Sequence, residues 1–159
     1  MEEVRRSGQG RPAGCLLPQR IFARMNAIAD TGLLVALARD KDQYHAWAVE
    51  IARQITWPVL TCEAVLAETA FHLQSSERVL GMLRDNVVRV AFDCARHSEQ
   101  LYDLAARYAD RRPDLADLCL IRMSELYPRH TVITVDEDDF LVYRRNKREA
   151  IPLLSPPKK

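Results

Sequence analysis

The sequence predicts an α/β fold, a three-layer α/β/α sandwich around a central, mostly parallel twisted sheet, and three observations support it. Short apolar runs alternate with helical stretches, the order that builds a parallel sheet covered on both faces. The first run, Asn26–Ala29, stops on Asp30, and a helical pattern follows almost at once with Leu33, Leu34, Ala36 and Leu37. Further acidic positions, at Glu68, Asp114/Asp117 and Asp136, fall at comparable places. In open α/β sheets the carboxyl ends of the strands are where ligands bind.

In chain order, strand one covers Asn26–Ala29 and helix one runs from about Leu33 to Arg39. Asp40-Lys41-Asp42 is a polar break, with Asp42 as N-cap of a second helix over Gln43–Gln54. Ala46, Trp47, Val49 and Ile51 are its expected inward residues. Pro58–Thr61 reads as a buried strand with proline at its start. Helix three begins near Cys62 or Glu63, and Ser75 or Ser76 caps a helix over Glu77–Leu83. After the Asp85-Asn86 turn, Val87–Phe92 is rich in β-branched residues and reads as strand three. A helix over Cys94–Ala109 is broken by Arg111-Arg112-Pro113, and Asp114 caps the next, Leu115–Leu126. Thr131–Val135 is strand four, ending on Asp136. Glu137–Tyr143 is one or two helical turns, and Ile151–Leu154 a last edge strand.

The domain reading follows. Residues 1–24 carry five arginines, two glutamates and two prolines without a clear period, and are expected to be an extension without stable structure. They lack the continuous apolar core of a secretory signal. Residues 25–154 form one domain and residues 155–159 a tail. No run of about 18 apolar residues exists, so no membrane partner is expected. The formal net charge of +1 points to neither a strongly basic nucleic-acid binder nor a membrane-surface protein, although charge can segregate on one face. Cys15, Cys62, Cys94 and Cys119 match no zinc spacing. They read as reduced structural thiols, which favours a cytoplasmic location.

If strands one and four are neighbours, Asp30 and Asp136 come together. Two carboxylates about 4 Å apart repel by roughly 4 kcal/mol at an effective dielectric near 20, so such a cluster calls for a cation. Mg²⁺ or Mn²⁺ fits, because hard cations prefer oxygen ligands and need only one or two direct carboxylates. A metal with open positions suits phosphoryl chemistry, since it can activate water and steady a leaving oxygen. The chain has no phosphate-binding G-x-x-x-x-G-K-[ST] loop and no G-x-G-x-x-G fingerprint.

At these residues the chain resembles the PIN domain, the nuclease fold of VapC-type toxins. Ile28-Ala29-Asp30-Thr31 resembles the family's opening strand, and Ala64–Glu68 its second motif. Asp114-Leu115-Ala116-Asp117 through Ile121 resembles the third, and Ile133-Thr134-Val135-Asp136 through Phe140 the fourth. The resemblance spans about Asn26 to Leu154. It implies that Asp30, Glu68, Asp117 and Asp136 are the metal-site acids, with Asp114 accessory. Thr31 and Thr134 would orient water or a carboxylate. It further implies a Mg²⁺- or Mn²⁺-dependent endoribonuclease, often a homodimer, acting on RNA and inhibited by a cognate antitoxin protein in a type II toxin–antitoxin pair. Leu118-Cys119 depart from the small residues expected after the third aspartate.

Blander roles compete residue by residue. Asp30, Asp114 and Asp136 could each serve as a cap or turn residue, and Glu137, Asp138 and Asp139 read as solvated. His72, four residues after Glu68, could be a ligand but reads better as a buried, hydrogen-bonded histidine. Tyr44, Trp47 and Trp57 read as core or interface. Arg111, Arg112 and Arg122 could contact RNA phosphates or be solvated or salt-bridged. The Arg144, Arg145, Lys147, Arg148 run could be a phosphate rim or plain surface. At the level of function, the alternatives are an RNA- or protein-binding module with a silent metal site and no toxin role, or a housekeeping RNA-processing nuclease. Receiver-like or dehalogenase-like phosphoryl transfer is disfavoured, because Asp30-Thr31-Gly32 supplies no second acid.

Overall fold

The computed structural model describes residues 24–158. Cys15 and nearly all of the expected N-terminal extension lie outside the described residues. The elements are β1 (Ala27–Ala29), α1 (Thr31–Ala38), α2 (His45–Ala52), β2 (Val59–Thr61), α3 (Glu63–Leu73), α4 (Ser76–Arg84), β3 (Val88–Val90), α5 (Ser98–Arg107), α6 (Leu115–Leu126), β4 (Thr131–Ile133), α7 (Glu137–Val142), β5 (Arg144–Arg145), β6 (Glu149–Ala150) and β7 (Leu153–Leu154). A short 3₁₀ turn, Ala95–His97, precedes α5.

Five strands form one sheet in the order β3-β2-β1-β4-β7, and every pairing in it is parallel. The predicted α/β/α sandwich is therefore the observed fold. β1 and β2 are buried at every residue, the signature of strands covered on both faces. Helix α6 packs against β1, β4, α3 and α5. That placement explains why Ala116, Leu118, Cys119, Leu120, Ile121 and Met123 are all buried on one helix. Ile28, Leu33, Leu34, Leu120, Ile121 and Ile133 are fully sequestered, and each such side chain contributes roughly 1.5–3 kcal/mol of burial free energy.

β1 lies between β2 and β4, so the chain leaves β1 toward one side of the sheet and adds β4 on the other. This is a topological switch point, where a crevice opens beyond the strand ends. The register sets Ala29 beside Ile133. Asp30 and Thr134, each one residue further on, therefore leave the sheet side by side.

Several boundaries differ from expectation for local reasons. Strand four stops at Ile133, although Thr134 N–H still donates to Leu154 O (3.1 Å), and Asp136 lies beyond the sheet. Helix α2 starts at His45 because the Asp42 carboxylate accepts from Tyr44 N–H (2.8 Å) and closes a turn first. Its buried residues are Ala48 and Ile51, whereas Ala46 is exposed. Asp93 accepts from Ala95 N–H (3.0 Å) and Arg96 N–H (3.2 Å), which separates a 3₁₀ turn from α5. The β5–β6 hairpin was not expected, and its turn places Asn146 and Lys147 at φ 48° and 68°. Among the described residues no helix is long and apolar enough to cross a membrane.

Candidate metal centre

Asp30 follows the last residue of β1 and is the N-cap of α1. Its Oδ1 accepts from Thr31 N–H at 2.6 Å, and its Oδ2 accepts the Thr134 hydroxyl at 2.6 Å. Thr31 in turn donates its hydroxyl to Glu68 Oε2 at 2.8 Å. The two threonines, both buried, thus tie one carboxylate to β4 and another to α1. Thr134 Oγ1 also accepts from Asp136 N–H at 3.0 Å, which sets the path of the loop into α7. On the facing helix, Asp114 caps α6 by accepting from Asp117 N–H at 2.8 Å. Asp114 is therefore both a cap and a wall of the cleft, and the two readings of it are compatible.

All five carboxylates singled out in the sequence, Asp30, Glu68, Asp114, Asp117 and Asp136, line a single cleft of about 400 Å³ at the switch point. Burial raises the Asp30 carboxyl to about 6 from its ordinary 3.8. Hydrogen bonds from Thr134 and Thr31 oppose the rise, and the Glu68 and Asp114 charges add to it. Asp117 is pushed to about 7, first by burial and then by the charges of Asp114, Asp30, Asp139 and Glu68. Asp136 is raised by burial and by Asp139 and Asp138. Its side chain is exposed and it stands at the rim.

Gly32 is required by this packing. A Cβ there would come within 2.3 Å of Val135 Cγ2, so α1 can approach the β4–α7 loop only with no side chain at that position.

The cleft also contains residues that sequence reasoning passed over. Asp139, expected to be solvated, lines the cleft and acts electrostatically on Asp117. The buried Tyr143 places its hydroxyl 3.5 Å from Asp117 Oδ2, and burial with the nearby carboxylates pushes that phenol upward. Asp42, Gln43 and Tyr44 contribute from the turn that precedes α2. A signal for Asp139 and Tyr143 was their i, i+4 spacing, with Asp139 on α7 beside the buried Phe140 and Tyr143 at the C-cap of that helix. His72 is exposed at the cleft, with its ring edge-on to Phe71 at 5.7 Å, and is not the buried histidine expected.

Arg111 and Arg112 are exposed on the loop before α6, and Arg111 is 3.7 Å from Asp110. Neither lines the cleft. Arg122 is paired with Glu125 at 2.6 Å, and Arg145 donates to Ser124 O and Pro128 O, both at 3.2 Å. These two arginines secure the hairpin and α6. Leu118 and Cys119 fit the core without disturbing the aspartates beside them. The described cysteines, Cys62, Cys94 and Cys119, are free. The Cys119 thiol is pushed up by its neighbour Cys62 and by burial.

Among the described residues no three His, Cys, Asp or Glu side chains stand close enough to make a ready-made ligand set. The donor set is nevertheless suited to a hard cation. It consists of carboxylate oxygens, two of them on acids that hold protons to about 6 and about 7 because of burial and crowding. Mg²⁺ and Mn²⁺ need only one or two of these directly, with water completing the shell.

The class this defines is a parallel α/β/α domain with its acids gathered where β1 and β4 end. The PIN domain family model matches residues 27–146, and the chain belongs to that family. Among solved structures, Mycobacterium tuberculosis VapC20, a sarcin-ricin loop cleaving toxin, is similar at a TM-score of 0.61 and 22% identity, over 72% of this chain and 92% of that one. No match is found among curated protein sequences.

Proposed function

We propose that this protein is a divalent-metal-dependent endoribonuclease that hydrolyses RNA phosphodiester bonds. In the cell it would be the toxic component of a type II toxin–antitoxin pair, cytoplasmic, homodimeric and held in check by a cognate antitoxin. The observation that carries the reading is the meeting of Asp30, Glu68, Asp114 and Asp117 in one cleft, with Thr31 and Thr134 bonded to two of them. Family membership adds to it, as does the likeness in fold to a toxin that cleaves the sarcin-ricin loop.

Asp30, Asp117, Glu68 and Asp136 would hold Mg²⁺ or Mn²⁺, with Asp114 accessory. Such an ion, when bound, lowers the pKa of coordinated water and offsets charge on the phosphate. The chain's own part is orientation. The hydroxyls of Thr134 and Thr31 donate to Asp30 and Glu68 and so would fix how those two carboxylates face the cleft. Arg111 and Arg112, three and two residues before Asp114, would meet the RNA backbone outside the cleft.

The test is cleavage of a mixed-sequence RNA with Mg²⁺ or Mn²⁺, compared with Asp30→Asn. Activity lost by a factor of 100 or more, on the order of ~3 kcal/mol of barrier, is the expected result. Equal activity in the variant ends the assignment. A second reading, a binding module with a silent site, draws on the lack of a ready-made ligand set among the described residues. Titration calorimetry with Mn²⁺ separates the two, since a silent site produces no heat that Asp30→Asn removes.

A further inference from the structure

Beside the carboxylate cleft lies a second, larger cavity of about 920 Å³. Gln43, Tyr44, Val135 and Asp136 line both spaces, so a chain seated in one extends directly into the other. The added walls include Trp47 of α2 and residues Ser155, Pro156, Pro157 and Lys158 of the C-terminal segment.

Tyr44 and Trp47 are only partly buried. Trp57 is committed to the fold, since its indole N–H donates to Ala52 O at 3.2 Å. Trp47 and the Gln43 amide make no such side-chain bond to another described residue. Tyr44, Trp47 and the Gln43 amide, which can both donate and accept, line the cavity.

The charge of the walls selects among ligands. Lys158 Nζ lies 3.0 Å from Glu137 and 2.9 Å from Asp138, and Ser155 donates to Glu137, which holds the tail in place. Among the described lining residues, the ammonium of Lys158 does not balance Asp136, Glu137 and Asp138, so that lining is net negative and disfavours a bare phosphate. A flat, neutral, hydrogen-bonding group suits it. The volume lies in the range that encloses a ligand of nucleoside size.

We propose that this cavity is a nucleobase subsite. It takes one unpaired base of the RNA, stacked on Trp47 and Tyr44 with Gln43 at its edge, while the adjoining phosphate lies over the carboxylates. Stacking tolerates any base, because each has a π face. A base inside a duplex is already stacked and paired and enters only after extrusion. The inference rests on the ribonuclease reading.

The experiment uses the full chain carrying Trp57→Phe, which leaves Trp47 as the only tryptophan, in Ca²⁺ buffer without cleavage. Addition of a single-stranded mixed-sequence RNA oligonucleotide is expected to quench Trp47 fluorescence, and its duplex to leave it unchanged. In otherwise native protein, Trp47→Ala weakens single-strand binding on the order of ten-fold, as loss of one stacked base does. Trp47→Phe retains most of the affinity, and Gln43→Ala falls between. If Trp47→Ala does not fold, as judged by circular dichroism, the quenching and the other two variants decide. Quenching by duplex equal to that by single strand, or no quenching at all, overturns the subsite. A native protein that cleaves RNA while Trp47→Ala keeps its KM also overturns the subsite and leaves the nuclease reading standing. A native protein that cleaves nothing, yet shows single-strand quenching, removes the nuclease reading and keeps the subsite.

Discussion

Thr134 carries more of the site than its size suggests. Its hydroxyl donates to Asp30 Oδ2 at 2.6 Å and accepts from Asp136 N–H at 3.0 Å. It thus keeps Asp30 more acidic than burial alone would allow. Thr134→Val removes the proton donor at nearly constant volume, so the Asp30 carboxyl rises further above about 6. In metal-free protein the titration profile of Asp30, followed by carboxyl NMR, should move up by about half a unit to one unit. Thr134→Ser, which keeps the hydroxyl, should restore the native profile. A Thr134→Val profile that superimposes on the native one would show that the hydrogen bond does not tune Asp30. These pairings were legible only in part. Asp30 and Thr134 are 104 residues apart, and Thr31 and Glu68 are 37 apart. Sequence pattern placed Asp30 at a strand end, Thr134 within strand four and Glu68 within helix three, but none of them in contact.

At the scale of elements, the approach of α1 to the β4–α7 loop depends on Gly32. Gly32→Ala forces Val135 to move, since the new methyl would sit 2.3 Å from its Cγ2. Overpacking of this kind costs about 1–3 kcal/mol, measurable as a lowered urea midpoint, and RNA cleavage should fall with it because Val135 lines the cleft. Gly81 provides the contrast, lying inside α4 with open space where a Cβ would go. Gly81→Ala should stabilise the protein by about 0.5–1 kcal/mol through helix propensity. Strand and helix order could be read from alternating apolar periods, and Asp114 could be read as a cap before it was seen as one. The β5–β6 hairpin could not, because its positive-φ turn residues are Asn146 and Lys147 and no glycine marks it.

At the scale of the whole molecule, the crowded acids link stability to pH. Asp30 and Asp117 hold protons to about 6 and about 7 in the folded state, against about 4 in an unfolded chain. The folded form therefore binds more protons between roughly pH 4 and 7. The stability these groups contribute is complete below about pH 4 and is lost as pH rises through their folded pKa values. Metal-free protein should melt lower at pH 7.5 than at pH 5. Mn²⁺ at about 100 times its Kd adds about 2.7 kcal/mol, or several degrees of Tm for a domain of this size. That gain should shrink at pH 5, where protons compete for the ligands, and in Asp30→Asn. Scanning calorimetry at the two pH values checks it. A shift independent of both pH and Asp30 would mean the cation binds elsewhere.

The chain by itself determined the alternation of buried strands with helices, the aspartate at the end of β1, and the family motifs in their order. All of these are encoded locally, in which residues are apolar and at what spacing. Only the tertiary structure decided which polar groups share the cleft. It brought in Asp139 and Tyr44, set the Tyr143 hydroxyl against Asp117 and Asp136 at the rim, and opened the aromatic cavity next door. Periodicity tells which face of an element turns toward solvent. What stands opposite that face depends on strand order, on the tilt of α7 and on the path of the tail, and these are settled by the packing of the whole core.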